Sequence, residues 1–246
     1  MLKKAEKFEK IFRLESSLRA LERVRDFLSQ ESYERLRELV LIRLKGIKIE
    51  EKELNSKVAV AFSGGSDSSA TYKILAWAGF KVYPITAKLP QMRDEVLKRL
   101  ESGGAIFVEI PEYMEVMEDL IRKRTAICGR CHSMVMRAVE ERARELGAEI
   151  VASGDMLTVG SGSIYEKDGI VILNLPAFLA LDKKELLEIL GWKKYELKYG
   201  CPLWKEAAKR APVLKKFGLQ RVLRELRGGA LPKEFAKELI IDILRA

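Results

Sequence analysis

The sequence predicts an α/β fold: a doubly wound parallel sheet of about five strands, with helical extensions at both ends. Three observations predict it. Between residues 57 and 191, short apolar runs rich in Val and Ile alternate with amphipathic helical stretches, as parallel strands joined by helical crossovers do. Residues 3–45 carry their apolar side chains at helical spacing. After Gly191 the strand-like runs stop, and Pro and Gly separate short helical stretches. The expected divisions are an N-terminal helical extension at 1–55, a sheet domain at 56–191 and a basic helical region at 192–246.

The elements follow in order. Phe8, Phe12, Leu18, Leu21, Val24 and Leu28 recur at threes and fours and define a first helix. "SQES" at 29–32 offers a break and a new N-cap. Leu36, Leu39, Val40 and Leu44 carry a second helix that Gly46 ends. "KVAVAF" is the first strand, followed by a Gly/Ser loop and the helix "SSATYKILAWAG". "KVYPITAKL", "AIFVEI", "AEIVASG" and "GIVILNL" are the next four strands. "QMRDEVLKRLESGG", "PEYMEVMEDLIRKR", "HSMVMRAVEERARELG" and "DKKELLEILG" are the helices among and after them. Pro111 fits the first turn of its helix. The remaining residues form short helices.

A chain of 246 residues can bury a sizeable core, and 48% hydrophobic residues exclude a disordered chain. Charged residues reach 33% with a single His, a balance that resembles thermophile proteins. The charged start "MLKKAEKFEK" is followed by no apolar run, so no secretory leader is expected. The longest apolar stretch, "IVILNLPAFLAL", is too short to span a bilayer and contains Asn174 and Pro176. The expectation is a soluble, cytoplasmic protein without a membrane partner. Three cysteines argue against a disulfide framework and for metal or redox use. Net charge is +9, and residues 192–246 hold 14 basic against 6 acidic side chains. Such a cluster suits a polyanion, and a solvated helix surface explains it too.

The loop after the first strand reads Ser63-Gly64-Gly65-Ser66-Asp67-Ser68. In a doubly wound sheet, ligands bind beyond the carboxyl ends of the strands, where this loop lies. Gly64 and Gly65 can adopt positive φ and let a ligand approach the backbone. Successive amides at a helix N-terminus favour phosphate, and Ser63, Ser66 and Ser68 add hydroxyl donors. Asp67 makes sense if magnesium accompanies the phosphates. An ordinary strand–helix turn with a serine cap is the plainer alternative. The Walker pattern and the G-x-G-x-x-G fingerprint are both absent.

S-G-G-S-D-S resembles the pyrophosphate loop of the PP-loop (N-type) ATP pyrophosphatase superfamily. The resemblance implies an adenine nucleotide alpha-hydrolase-like fold. It also implies cleavage of ATP between the α and β phosphates, with adenylation of a carbonyl oxygen. By it, Ser63, Gly64, Gly65, Ser66 and Ser68 cradle phosphate and Asp67 is magnesium-associated. The end of the second strand, at Thr86 and Ala87, borders the adenine.

"CGRCH" places Cys128 and Cys131 on one helical turn, and Cys201 precedes Pro202. Several readings stay open. C-x-x-C-H is the haem c attachment pattern, which needs an exported chain. Cys128, Cys131, Cys201 and His132 satisfy the count for zinc, although His132 adjoins Cys131. Cys128 and Cys131 suit a persulfide or transient disulfide, and all three could be buried structural thiols. The order of C-x-x-C, strand, K-x-E-like helix and C-P resembles the three-cysteine tRNA sulfurtransferases of the same superfamily, the thiouridine and thiocytidine synthetases. That resemblance implies a [4Fe-4S] cluster on Cys128, Cys131 and Cys201 with one iron open to carry sulfur. It departs after the fourth strand, where "SGDMLTVGSGS" keeps Gly154, puts Asp155 at the next position and lacks the following acids. Asp155 is a candidate for magnesium or ATP, or a plain turn residue. The "GSGS" stretch reads as a flexible, substrate-ordered loop.

The expected function is an ATP-dependent sulfurtransferase that adenylates a carbonyl oxygen, of a tRNA base by resemblance, and replaces it with sulfur. A thiolate at Cys128 is expected to gain from the dipole of its helix. The basic C-terminal region would grip tRNA, with Trp192 and Trp204 as stacking surfaces or core residues. A sulfur carrier protein and a homodimer are further partners consistent with this reading. The alternatives are an amide-forming PP-loop ligase, a small-molecule sulfurtransferase, or an ATP-binding partner protein without turnover.

Overall fold

The computed structural model describes residues 2–158, 160–193, 195 and 197–246, with side chains from Phe8 onward. Two helices, α1 (Leu2–Arg23) and α2 (Gln30–Lys45), open the chain. The break between them falls where the sequence places it. Ser29 accepts a hydrogen bond from the Ser32 amide as N-cap, and Gly46 ends α2 with φ 65°.

The sheet domain alternates β1 (Lys57–Ala61), α3 (Ser66–Trp77), β2 (Lys81–Ala87), α4 (Asp94–Ser102), β3 (Ile106–Val108), α5 (Tyr113–Arg122), α6 (Cys128–Glu145) and β4 (Ile150–Ser153). After it come β5 (Ile164–Lys167), β6 (Ile170–Asn174), α7 (Leu175–Phe178) and α8 (Lys183–Leu190). Three helices close the chain: α9 (Pro202–Arg210), α10 (Lys215–Arg227) and α11 (Lys233–Arg245). α5 starts at Tyr113, after Glu112 in the left-handed region at φ 60°, so Pro111 stands before its first turn.

The sheet has six strands in the order β3-β2-β1-β4-β6-β5. All neighbours are parallel except β5 and β6. The strand beyond the expected five is β5, "IYEK". Asp168 and Gly169 both have positive φ (51° and 79°), the geometry of a type I′ hairpin turn, which twists in step with the strands it joins. The chain moves outward from β1 to β2 and β3, then returns to the other side of β1 as β4. The crevice between the carboxyl ends of β1 and β4 is therefore the switch point where ligands of such sheets bind.

Three apolar clusters hold the layers. Leu21, Leu36 and Val40 of the N-terminal helices share one with Val58 and Val60 of β1 and with α3 and α8. The opposite sheet face packs Ala59, Ile85, Val151 and Ile172 against Met136, Val139 and Ala143 of α6. In the third, Tyr113, Met117 and Ile121 of α5 meet Leu203, Trp204, Val222 and Leu239 of the C-terminal helices. Side chains buried as completely as Leu36 and Ile85 each contribute about 1.5–3 kcal/mol. Among the described residues, no helix is long and apolar enough to cross a membrane.

Candidate functional site

The loop between β1 and α3 is tied to itself through its serines. The Ser63 amide donates to the Ser68 hydroxyl at 3.3 Å, and the Ser63 and Ser68 hydroxyls lie 3.2 Å apart. The Ser68 hydroxyl donates to the Gly65 carbonyl at 3.1 Å. Gly64 has φ 70°, and a Cβ there would meet Leu100 Cδ2 at 2.8 Å and Arg99 Nη2 at 3.3 Å. Glycine is thus required at 64 by both conformation and space. Gly65 caps α3 and has no side chain to bond the first turn. The amides of Ser66, Asp67 and Ser68 consequently have no intrahelical acceptor, as at any helix start. The result is a short row of donors at the positive end of α3, an arrangement suited to phosphate.

β4 brings a second wall. At Gly154 a Cβ would lie 2.9 Å from the carbonyl carbon and Cβ of Asp67 and from the Ser68 nitrogen. This close approach presses the β4 edge onto the loop. The Asp155 carboxylate accepts from the Leu157 amide at 3.0 Å, so its side chain closes its own turn. The "GSGS" stretch is not the flexible loop its composition suggests. Ser163 is fully buried, its hydroxyl donates to the Gly160 carbonyl at 2.7 Å, and Ser17 of α1 lies beside it at 3.3 Å. Val159, just before this stretch, lies outside the described residues. At the end of β2, Thr86 and Ala87 are buried, and the Thr86 hydroxyl donates to the Phe62 carbonyl. At this edge, therefore, only backbone is offered to a ligand.

Sequence reasoning missed Lys183. Its ammonium lies 2.7 Å from Asp67 Oδ1 and 2.6 Å from the Ser66 hydroxyl, with the residue only 8% exposed. Tyr195 covers it, its ring centroid 5.1 Å away and its hydroxyl 3.2 Å from that of Ser66. Burial opposes the charge on Lys183, but Asp67 and Tyr195 together outweigh it and hold the pKa above its ordinary value. Asp67 thus has a resident protein cation.

The cysteines come from two helices. Cys128 opens α6 and Cys131 follows one turn later, while Cys201 is the N-cap of α9. α6 precedes β4 in the crossover, so its N-terminus lies at the carboxyl edge of the sheet, the edge that carries the loop. Cys131 Sγ is 3.0 Å from the Tyr113 hydroxyl, which accepts from Gln91 at 2.8 Å. Cys128 is exposed as a residue, yet the protein packed around its sulfur leaves little water to solvate a charge. Burial pushes its pKa up to about 11, with Cys201 and Cys131 adding to the rise and Arg221 opposing it. Burial and Cys201 also raise Cys131, against the Tyr113 hydrogen bond. The expected dipole-stabilised thiolate at Cys128 is therefore overridden by desolvation.

The three thiols feel one another's charge. Among the described residues, however, no three His, Cys, Asp or Glu side chains gather closely enough to hold one ion. His132 is exposed. Of the two tryptophans expected as stacking surfaces or core, Trp204 is core at 4% exposure and Trp192 is at the surface at 38%.

No protein-family profile matches the chain. The uncharacterized protein MJ1638 of Methanocaldococcus jannaschii is 36% identical over 251 residues, covering 96% of this chain and 93% of that protein. The chain belongs to the MJ1638 family. A second protein of that organism, uncharacterized protein MJ1599, is 29% identical to this family member over 197 residues, covering 73% of this chain and 70% of that one. The tRNA-specific 2-thiouridylase MnmA 1 of Clostridium tetani is 28% identical over 174 residues, covering 60% of this chain and 45% of that protein. Among solved structures, the U34-tRNA thiolase NcsA from Methanococcus maripaludis with its [4Fe-4S] cluster is similar at a TM-score of 0.39 and 15% identity, covering 87% of this chain and 78% of that one. So loose a likeness carries no argument about the site. In this MJ1638-family chain the S-G-G-S-D-S turn lies at the switch point of a mostly parallel sheet.

Proposed function

We propose that the protein is an ATP-dependent sulfurtransferase acting on a tRNA base. The observation that carries the reading is the row of amides without intrahelical acceptors at the start of α3, after Gly64 at φ 70°, at the switch point of the sheet. Cys128 and Cys131 open α6 at the sheet edge that also carries the phosphate-type loop, and Cys201 caps α9. The sequence relationship to a 2-thiouridylase supports it.

In this reading the amides of Ser66, Asp67 and Ser68 and the hydroxyls of Ser63, Ser66 and Ser68 hold the β and γ phosphates of ATP. The backbone at Thr86 and Ala87 borders the adenine, and Gly154 and Asp155 flank the opposite side. Asp67 is the residue suited to magnesium. The base carbonyl oxygen attacks the α phosphorus, and the bond to pyrophosphate breaks. Fixed amide donors stabilise the charge that moves onto the departing pyrophosphate. Sulfide, as HS⁻, then adds to the activated carbon, AMP leaves with the former carbonyl oxygen, and loss of the sulfur's proton gives the thiocarbonyl.

Three thiols on two helices match the count of a [4Fe-4S] cluster held by three cysteines. When bound, a three-cysteine cluster would supply one open iron for a sulfur atom. Cys128, Cys131 and Cys201 would hold it, with Tyr113 fixing the rotamer of Cys131. The basic helices of 192–246 would grip RNA phosphates, and a cytoplasmic location follows from that substrate.

Anaerobic incubation with magnesium, ATP, sulfide and unmodified tRNA tests the proposal. The expected result is tRNA-dependent pyrophosphate release together with a thionucleoside in the digested tRNA. Pyrophosphate release that depends on an amine or a small carbonyl compound instead of tRNA would contradict it.

A further inference from the structure

We propose that the flank of α10 carrying Phe217, Arg221 and Arg224 seats an unpaired stretch of RNA beside Cys128. Phe217 is the stacking surface for a base, and the two arginines hold its flanking phosphates. The inference rests on the reading of the substrate as tRNA.

Phe217, Arg221 and Arg224 follow one another at four and three residues, so they share one side of α10. The adjoining face is buried. A Cβ at Gly218 would meet Tyr199 Cε1 at 3.1 Å and Trp204 Cζ2 at 3.2 Å. Leu219, Val222 and Leu226 lie in one apolar cluster with Ile127, Cys131 and Met134. α10 is therefore anchored against the start of α6, the turn that carries Cys128 and Cys131.

The flank combines an exposed ring with cations. Phe217 is 42% exposed, and the Lys216 ammonium lies 4.9 Å from its ring centre. The Arg221 Nε donates to Glu225 Oε1 at 2.9 Å. That bond fixes the stem and leaves the terminal nitrogens of the fork for the two oxygens of a phosphate. Burial opposes the charge on Arg221, while Glu225, Tyr199 and Asp155 favour it and prevail. Its charge in turn favours the Cys128 thiolate, against burial. The guanidinium is thus within electrostatic reach of both the thiol helix and the turn after β4. A phosphate on Arg221 would hold its nucleotide next to both. In a duplex the bases stack on each other and offer Phe217 no face, whereas an unpaired base can lie on the ring.

Fluorescence anisotropy of the whole chain with two labelled RNAs, a hairpin with an unpaired loop and a blunt duplex of equal charge, separates stacking from general attraction to phosphate. The wild type should bind the hairpin about tenfold more tightly than the duplex. Phe217→Ala should lose about fivefold or more on the hairpin, while duplex affinity and the salt slope stay as they were. Phe217→Trp should retain hairpin affinity. Leu223→Ala removes an equally exposed apolar side chain from a different side of α10 and should match the wild type on both RNAs. Arg221→Gln should weaken hairpin binding and flatten its salt dependence by about 0.7. In a wild type that binds unmodified tRNA, three results overturn the inference alone: equal wild-type affinity for the two RNAs, undiminished hairpin binding by Phe217→Ala, or an equal loss on both RNAs. A wild type that binds neither RNA nor unmodified tRNA overturns both the inference and the substrate reading beneath it.

Discussion

The backbone of Gly154 rests on Asp67 so closely that a methyl group at 154 would stand 2.9 Å from the Asp67 carbonyl carbon. The end of β4 and the start of α3 are one packed unit at the crevice floor. Gly154→Ala must push the two apart, because backbone cannot yield as a flexible side chain does. The expected cost is about 1–3 kcal/mol, measured by urea denaturation, with weakened nucleotide binding. Wild-type stability and affinity in the variant would contradict the packing argument.

Gly64→Ala faces a different penalty. The left-handed conformation at φ 70° costs a residue with a Cβ about 1–2 kcal/mol, and Leu100 adds a steric conflict. Gly129, between the two cysteines of α6, meets nothing within 4 Å at its Cβ position. Gly129→Ala should be neutral or stabilising by about 0.5–1 kcal/mol. Thermal melts of the pair should therefore move apart, Gly64→Ala downward and Gly129→Ala level or upward.

Asp182 gives a pH-dependent signature. Burial alone would raise its pKa, but the Glu185 amide and the Lys10 ammonium outweigh burial and hold it below the ordinary carboxylate value. A depressed pKa contributes stability above the unfolded value, near 4, and loses it as pH falls through the lower folded value. Asp182→Ala should cost about 1–2 kcal/mol at pH 7. The gap from wild type should narrow below about pH 4. A gap that stays constant down to pH 2 would contradict the assignment.

How much of this was legible in the sequence depends on how local the signal is. The α1–α2 break was readable because Ser29 and Gly46 act on their own neighbours. The phosphate-type loop was readable because its chemistry lies in six consecutive residues. β5 was overlooked although Asp168-Gly169 is a hairpin signal, since the preceding Gly/Ser residues masked a four-residue strand. Lys183 was missed although it opens the K-x-E pattern of its helix, because no role was attached to that pattern. The register is set by the Asp182 cap and the pairing by Asp67, far away in the chain. The thiol pKa values were misjudged because a helix start is a local feature, whereas desolvation comes from the packing of α5 and the C-terminal helices.

The basic C-terminal helices should govern RNA affinity. Lys216 lies over the exposed Phe217 ring, 4.9 Å from its centre, and Lys215 donates to the Leu244 carbonyl at 3.1 Å. Replacing Lys215, Lys216 and Arg224 with Gln should weaken tRNA binding. It should also flatten the salt dependence by about 0.7–0.9 per lost phosphate contact. Unchanged salt dependence in a gel-shift series would place the RNA elsewhere.

The most direct measurement of the central claim is metal content. Protein purified without oxygen should be analysed for iron, sulfide and zinc, beside Cys128→Ala, Cys131→Ala and Cys201→Ala. The account predicts matched iron and sulfide in the wild type, with both greatly reduced in each variant. Equal iron in all four proteins, or zinc in place of iron, would contradict it.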